Sequence, residues 1–219
     1  LSLVGSEMCI RDRYPAIVAA GLPVVAVDRA LSPTHIRSVV SDDEQAGHTL
    51  TESLLTPKPR HIALLGARAE LVISQARERG FRSALKGFDG HISVYHGELF
   101  SRACGYRQMK TLMDEVGPPD ALLTTAYVLL EGVFDALREQ GSEQWPSVRL
   151  ATFGDTQLLD FLPLRVNAMS QQHERIAERV LAWTLQAVEN NDYSPGIEAI
   201  ERSFKAVSYT HLRAHETKA

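Results

Sequence analysis

The feature that most constrains this chain is the regular alternation of short, β-branched apolar runs with longer segments of helical periodicity. The runs Pro23–Val27, Arg37–Val40, His61–Leu65, Ile92–Tyr95, Ala121–Thr124, Arg149–Phe153, Val166–Met169 and Ile197–Phe204 read as strands. Between them, Ala16–Ala20, Glu44–Leu55, Ser74–Lys86, Ser101–Val116, Val128–Glu139 and Glu174–Glu189 read as helices. Strands this short and this uniformly apolar are buried on both faces, and each crossover is long enough for a helix. The expectation is therefore an α/β fold with parallel sheets covered by helices on both sides.

Local chemistry sets several boundaries. Thr56-Pro57-Lys58-Pro59 ends a helix, because proline lacks the amide donor and restricts the residue before it. Gly117-Pro118-Pro119-Asp120 does the same ahead of the run at Ala121, and Asn190-Asn191-Asp192 with Ser194-Pro195-Gly196 forms a polar turn. In the last long helix Ile176, Val180, Trp183 and Ala187 share one face, widened by Leu181, Leu185 and Val188 and opposite Glu174, Glu178 and Gln186, as expected of a helix half-buried on a sheet. Leu129, Leu130, Val133, Phe134 and Leu137 make a second such face.

The two ends share no pattern with the middle. Residues 1–13 and roughly 208–219 closely resemble translated sequencing-adapter read-through, and they are set aside as artefactual tails. A secretory leader is the rival reading of the start, but Glu7, Arg11, Asp12 and Arg13 interrupt any apolar stretch there. The whole chain carries a net charge of −4, and four of the seven charges in the ends are basic, so the body is slightly more acidic still. An acidic body repels a polyanion and is not expected to grip DNA itself. No apolar run approaches the length of a membrane-spanning helix. Cys9 and Cys104 have no metal-ligand spacing and no disulfide framework, which fits a reducing cytoplasm.

Five segments, in order, resemble regulators of the LacI/GalR family. They are Leu22–Leu31 (LPVVAVDRAL) with Ser38–Gly47, Arg60–Ala67 (RHIALLGA) with Arg77–Leu85, Ala121–Leu137, Leu150–Phe161 (LATFGDTQLLDF) and Gln171–Leu181. The resemblance covers about residues 14–206. It implies a periplasmic-binding-protein-like fold of two Rossmann-like lobes with parallel sheets. One lobe is assigned residues 14–41 plus 171–193, and the other 42–170 plus 196–206. Family members begin with a helix-turn-helix headpiece, a hinge helix and the first strands of the sensor. None of these is recognisable here, so the first lobe is expected to be incomplete, with an unpaired sheet edge and exposed apolar surface. Operator DNA is expected as a partner only through the missing helix-turn-helix, and the family implies a homodimer or homotetramer. Within the family the wording is nearest to the fructose-responsive branch. That implies a sugar-phosphate effector, fructose 1-phosphate or the 1,6-bisphosphate, that releases the regulator from DNA.

A sugar phosphate needs guanidinium groups for the phosphate, and carboxylates, amides or imidazoles with an apolar wall for the sugar. In open α/β sheets such groups gather at the carboxyl ends of strands. Asp28 and Arg29 follow the run Pro23–Val27, and Asp155 follows Arg149–Phe153, where it doubles as a candidate N-cap for a short helix at Gln157–Phe161. Thr125 and Tyr127 follow Ala121–Thr124, and Tyr127 offers a ring face. The resemblance adds Arg77, whose R-x-x-G pattern with Gly80 points an arginine at sugar oxygens. It also adds Gln171 and His173 where the chain recrosses between lobes, and Arg202 as a phosphate contact. Without the resemblance each has a plainer role: a surface ion pair, a structural histidine, or one charge on an edge strand.

Catalysis finds no foothold. There is no G-x-S-x-G elbow, P-loop, H-E-x-x-H pair or glycine-rich dinucleotide turn, and Cys104 lies in a helical pattern without an evident base. No cofactor, metal or membrane partner is expected. The leading reading is a cytoplasmic effector sensor. The alternatives are a periplasmic sugar-binding protein of the same fold and, more remotely, an α/β enzyme acting on sugar phosphates.

Overall fold

A computed structural model describes residues 16–17, 19–22, 24–30, 36–139, 148–155, 159, 165–190 and 194–206. The chain divides into two compact units. One comprises Leu1–Asp43 and Gln171–Ser203, the other Glu44–Ser170 and Phe204–Ala219.

The larger unit is built on a six-stranded sheet. In chain order its strands are β3 (His61–Ala67), β4 (His91–Gly97), β5 (Ala121–Thr124), β6 (Arg149–Phe153), β7 (Val166–Ser170) and β9 (Ser203–Lys205), arranged β4-β3-β5-β6-β7-β9. The pairs β3–β4, β3–β5, β5–β6 and β6–β7 are parallel. The period of two along β3 sorts its side chains. Ile62 and Leu64 join Leu50, Leu54, Phe81 and Leu123 in a core with α1 (Asp43–Glu52) and α2 (Val72–Ala84). Ala63 and Leu65 join Met109, Leu112, Leu130 and Val133 in a second core with α3 (Arg102–Glu115) and α4 (Tyr127–Glu139). Every residue of β3 after His61 is buried, which explains why the run carries no polar alternation. Ser101 caps α3 by accepting the Cys104 backbone N–H at 3.2 Å. Cys104 itself is a buried free thiol.

The smaller unit holds a parallel three-stranded sheet in the order β1-β2-β8, with β1 Val25–Val27, β2 Arg37–Ser41 and β8 Gly196–Ile200. The helix α5 (His173–Asn190) covers it through Ile176, Val180 and Trp183, packed with Val39, Ile200 and Val25. The face of Ile176, Val180 and Trp183 expected of this helix is present, but the widening expected at Leu181, Leu185 and Val188 is not. Leu181, Leu185 and Val188 lie off that contact and are exposed, as are Val27 on β1 and Ile197 on β8.

The structure corrects two assignments. Ile197–Phe204 is not one strand. It breaks at Glu201-Arg202 into β8, which pairs with β2, and β9, which joins the other sheet beside β7. Residues 196–203 consequently belong with the smaller unit, not with the larger one as the sequence boundaries had them. The physical reason is backbone pairing: β8 donates to and accepts from β2 over its full length, and a strand belongs to the sheet that satisfies its hydrogen bonds. The candidate helix at Gln157–Phe161 lies largely outside the described residues.

Candidate functional site

In the larger unit the candidate residues collect at the carboxyl edge of the sheet. Helix α2 is held low over this edge because it crosses α1 at two glycines. A Cβ on Gly80 would stand 2.1 Å from the Glu44 carbonyl oxygen, and one on Gly47 would stand 2.6 Å from that of Arg77. The glycine of the R-x-x-G pattern is thus a packing requirement that fixes where Arg77 starts. From there the Arg77 guanidinium, in a residue only 9% exposed, donates through Nη1 to the Thr125 carbonyl at 2.6 Å. Its Cζ lies 4.4 Å from the centre of the Phe153 ring. Arginine suits such a place because its charge is delocalised and weakly hydrated, and its donors point along fixed directions.

Thr125 is fully buried. Its backbone N–H donates to Leu65 at 2.9 Å, so its main chain is pinned between β3 and Arg77. Tyr127 opens α4, half-buried beside the turn at Gly154. Burial pushes its phenol up from the ordinary tyrosine value, and the charge and hydrogen bonding of Glu131 add to the shift. Asp155 follows that turn and pairs with Lys205 at 3.4 Å. Below Arg77, Glu78 accepts from His96 at 2.7 Å and from Arg82. Burial raises the Glu78 carboxyl, but those two hydrogen bonds outweigh it and hold the group below the usual carboxylate value.

In the smaller unit the carboxyl edge carries the remaining candidates. Asp28 takes a left-handed backbone conformation, φ 69°, at the end of β1. Aspartate is one of the few non-glycine residues that tolerate this, and such strain persists only where its surroundings enforce it. Here its N–H donates to Val39 at 2.9 Å, and Gln171 Nε2 donates to its carboxylate at 2.6 Å. The same Gln171 amide reaches Ser41 Oγ at 3.0 Å. Arg29, half-buried, is the next residue on this loop. Arg202 stands just past β8 with its side chain 5% exposed and pairs with Asp43 at 3.0 Å. Beside them Gln172 donates to the Glu201 carbonyl at 2.9 Å. His173 opens α5 and is exposed.

The structure therefore groups Arg77, Thr125, Tyr127 and Asp155 on the larger unit. It groups Asp28, Gln171 and Arg202 at the strand ends of the smaller one, while His173 makes none of these contacts. Sequence reasoning missed Ser41, Asp43, Glu78 and His96. Asp43 and Ser41 close the run after β2, and that position was the only signal they gave. Among the described residues no cluster of three or more His, Cys, Asp or Glu side chains is arranged to hold a metal ion. No helix among them is long and apolar enough to cross a membrane.

A family model described as a periplasmic binding protein-like domain matches residues 51–202. The fructose operon regulatory protein of Vibrio cholerae serotype O1 is 43% identical over 194 residues, covering 89% of this chain and 59% of that protein. The catabolite repressor/activator of Escherichia coli K12 is 35% identical over 182 residues, covering 83% of this chain and 54% of that protein. The chain thus spans between half and two thirds of the length of these curated relatives. The crystal structure of the Cra transcriptional dual regulator from Pseudomonas putida in complex with fructose 1-phosphate superposes with a TM-score of 0.85 at 52% identity. That match covers 90% of this chain and 73% of that one. A putative LacI-family repressor from Corynebacterium glutamicum, 20% identical over 96% of this chain and 86% of its own, superposes at a TM-score of 0.80 and speaks for the fold alone. The alternating strands, the R-x-x-G helix over the sheet edge and these matches agree: the chain belongs to the periplasmic-binding-protein-like domain family and is homologous to LacI-family transcription regulators of the fructose repressor and catabolite repressor/activator kind.

Proposed function

We propose that this chain is the effector-sensing part of a cytoplasmic transcription regulator, that it binds fructose 1-phosphate, and that it acts on DNA through a headpiece outside this sequence. The observation that carries the reading is Arg77. Its guanidinium is fixed against the Thr125 carbonyl and the Phe153 ring at the strand ends of the larger unit. A pre-ordered guanidinium binds an oxyanion without first losing side-chain freedom. Arg29 supplies a second positive group, and Asp28 and Asp155 supply acceptors for sugar hydroxyls. An anion that reaches Arg202 shares its guanidinium with Asp43.

The effector controls DNA binding by its differential affinity for two states of the regulator. A coupling of about 1–3 kcal/mol changes operator affinity roughly 5- to 150-fold. The regulator acts as a homodimer or homotetramer, the state the family resemblance implies.

Calorimetric titration with fructose 1-phosphate, fructose and fructose 1,6-bisphosphate tests the reading. The expected result is saturable binding of the monophosphate and at least about tenfold weaker binding of fructose, the loss expected when a charge-assisted contact is missing. Equal binding of fructose and its phosphate, or heat from none of the three, overturns it.

A further inference from the structure

Directly beneath Arg77, in the larger unit, Thr125 of the candidate site meets His96, a residue the effector reading does not use. Gly66 near the end of β3 faces His96 on β4, its register partner, and Thr125 beyond β5. The position a Cβ would take on Gly66 is 2.9 Å from His96 Nδ1 and 3.3 Å from Thr125 Oγ1. Both atoms therefore lie on the same side of the glycine, close enough together for one small group to reach both. Both are buried, and neither has a hydrogen-bond partner among the described residues. Thr125 as a whole is 0% exposed. A buried hydroxyl and a buried ring nitrogen left without partners each cost on the order of 1–3 kcal/mol, so native proteins rarely leave two together.

The chemistry of the neighbours says what fits. Glu78 holds His96 Nε2 at 2.7 Å, and a carboxylate only accepts, so Nε2 carries the hydrogen of that bond. In the neutral ring Nδ1 is then an acceptor. Thr125 Oγ1 both donates and accepts. The group that satisfies both must donate to Nδ1 and exchange a hydrogen bond with a hydroxyl. Wedged against a backbone that has no side chain, it must also be small. That is a hydroxyl oxygen.

We propose that His96 Nδ1 and Thr125 Oγ1 hold one hydroxyl oxygen over Gly66, either a water molecule or a hydroxyl of a bound polyol. The oxygen completes an unbroken chain of contacts: Arg82 to Glu78, Glu78 to His96, His96 through the oxygen to Thr125, and Thr125 through its carbonyl to Arg77. Its physical effect is to tie the aim of Arg77 to strands β3, β4 and β5 at once. Only the polyol source rests on the sugar-phosphate reading; the water source stands without it.

The test uses crystals of the chain with and without fructose 1-phosphate, and thermal unfolding of Thr125→Val, which keeps the shape and removes only the hydroxyl. An isolated oxygen within hydrogen-bond distance of both atoms in effector-free crystals identifies a water, and Thr125→Val then melts lower without effector. An oxygen that appears only as part of bound sugar identifies a polyol hydroxyl. Thr125→Val then melts unchanged alone but binds fructose 1-phosphate about three- to tenfold more weakly, as expected for one lost hydrogen bond. In either case Thr125→Ser retains the oxygen. No oxygen in either crystal, with Thr125→Val as stable as the parent or more so and equally good at binding, overturns the proposal.

Discussion

Arg202 and Asp43 form an ion pair of 3.0 Å in which both side chains are more than nine-tenths buried, 5% and 7% exposed. It joins the first residue of α1 to the two-residue break between β8 and β9. Nearby, the Asp42 N–H donates to the Ile200 carbonyl at 3.0 Å. A buried pair of this kind gives little net stability over an apolar replacement, but breaking it leaves a charge stranded. Asp43→Ala is therefore expected to cost about 3–5 kcal/mol. Asp43→Ala combined with Arg202→Met is expected to recover much of that loss. Denaturant unfolding of the single and double variants measures both, and a single variant as stable as the parent contradicts the account.

Arg77→Lys is predicted to keep the fold and lose effector affinity. Lysine keeps the charge but lacks the planar fork that serves the Thr125 carbonyl, the Phe153 ring and an oxyanion together. The expected loss is about tenfold or more, equivalent to one charge-assisted hydrogen bond. Titration with fructose 1-phosphate reads it, and circular dichroism checks that the fold persists.

Gly80→Ala is predicted to weaken binding from a distance. The added methyl meets the Glu44 carbonyl at 2.1 Å and the His48 amide nitrogen at 2.8 Å, both backbone atoms with nowhere to rotate. Helix α2 has to lift from α1, carrying Arg77 with it. A stability loss of about 1–3 kcal/mol is expected, with a fall in effector affinity beside it. An unfolding midpoint and binding isotherm equal to the parent's would remove the claim that Gly80 sets the height of Arg77.

Asp120 carries a prediction about pH. Its carboxylate accepts the backbone N–H groups of Arg60 at 2.7 Å and His61 at 3.0 Å, tying the start of β3 to the start of β5. Burial alone pushes the carboxyl up. The two backbone hydrogen bonds and the charges of Arg60 and Arg149 more than offset this and leave it below the ordinary aspartate value. A group lowered on folding contributes stability that is fully present above its unfolded value. That stability is lost as pH falls through the folded one. Asp120→Ala is expected to melt below the parent at neutral pH, with the gap closing as the pH drops through and below the aspartate range. A gap that stays constant with pH would show that the charge has no part in it.

Much of the larger unit was legible in the sequence. Ala121–Thr124 and Arg149–Phe153 have the bounds expected of them, because strands buried on both faces are continuous apolar runs with turn residues at their ends. Asp28 and Asp155 likewise stand just past β1 and β6, where the sequence placed them at strand ends. The fate of Ile197–Phe204 was not legible. Its composition suits a strand throughout, and only the choice of partners, β2 for the first half and the β7 edge for the second, splits it at Glu201-Arg202.

The sequence by itself determined the element order, the parallel sheets, the two apolar faces of β3 and the family. The element order, the sheets and the faces follow from periodicity and composition over a few neighbouring residues, and the family from the resemblance of five segments in order. The tertiary structure alone decided that Arg202 meets Asp43, that Gln171 holds Asp28, and that His96 and Thr125 come together beside Gly66. Each of those contacts joins residues far apart in the chain, and no local pattern records which distant atom will satisfy a buried charge or hydrogen-bonding group.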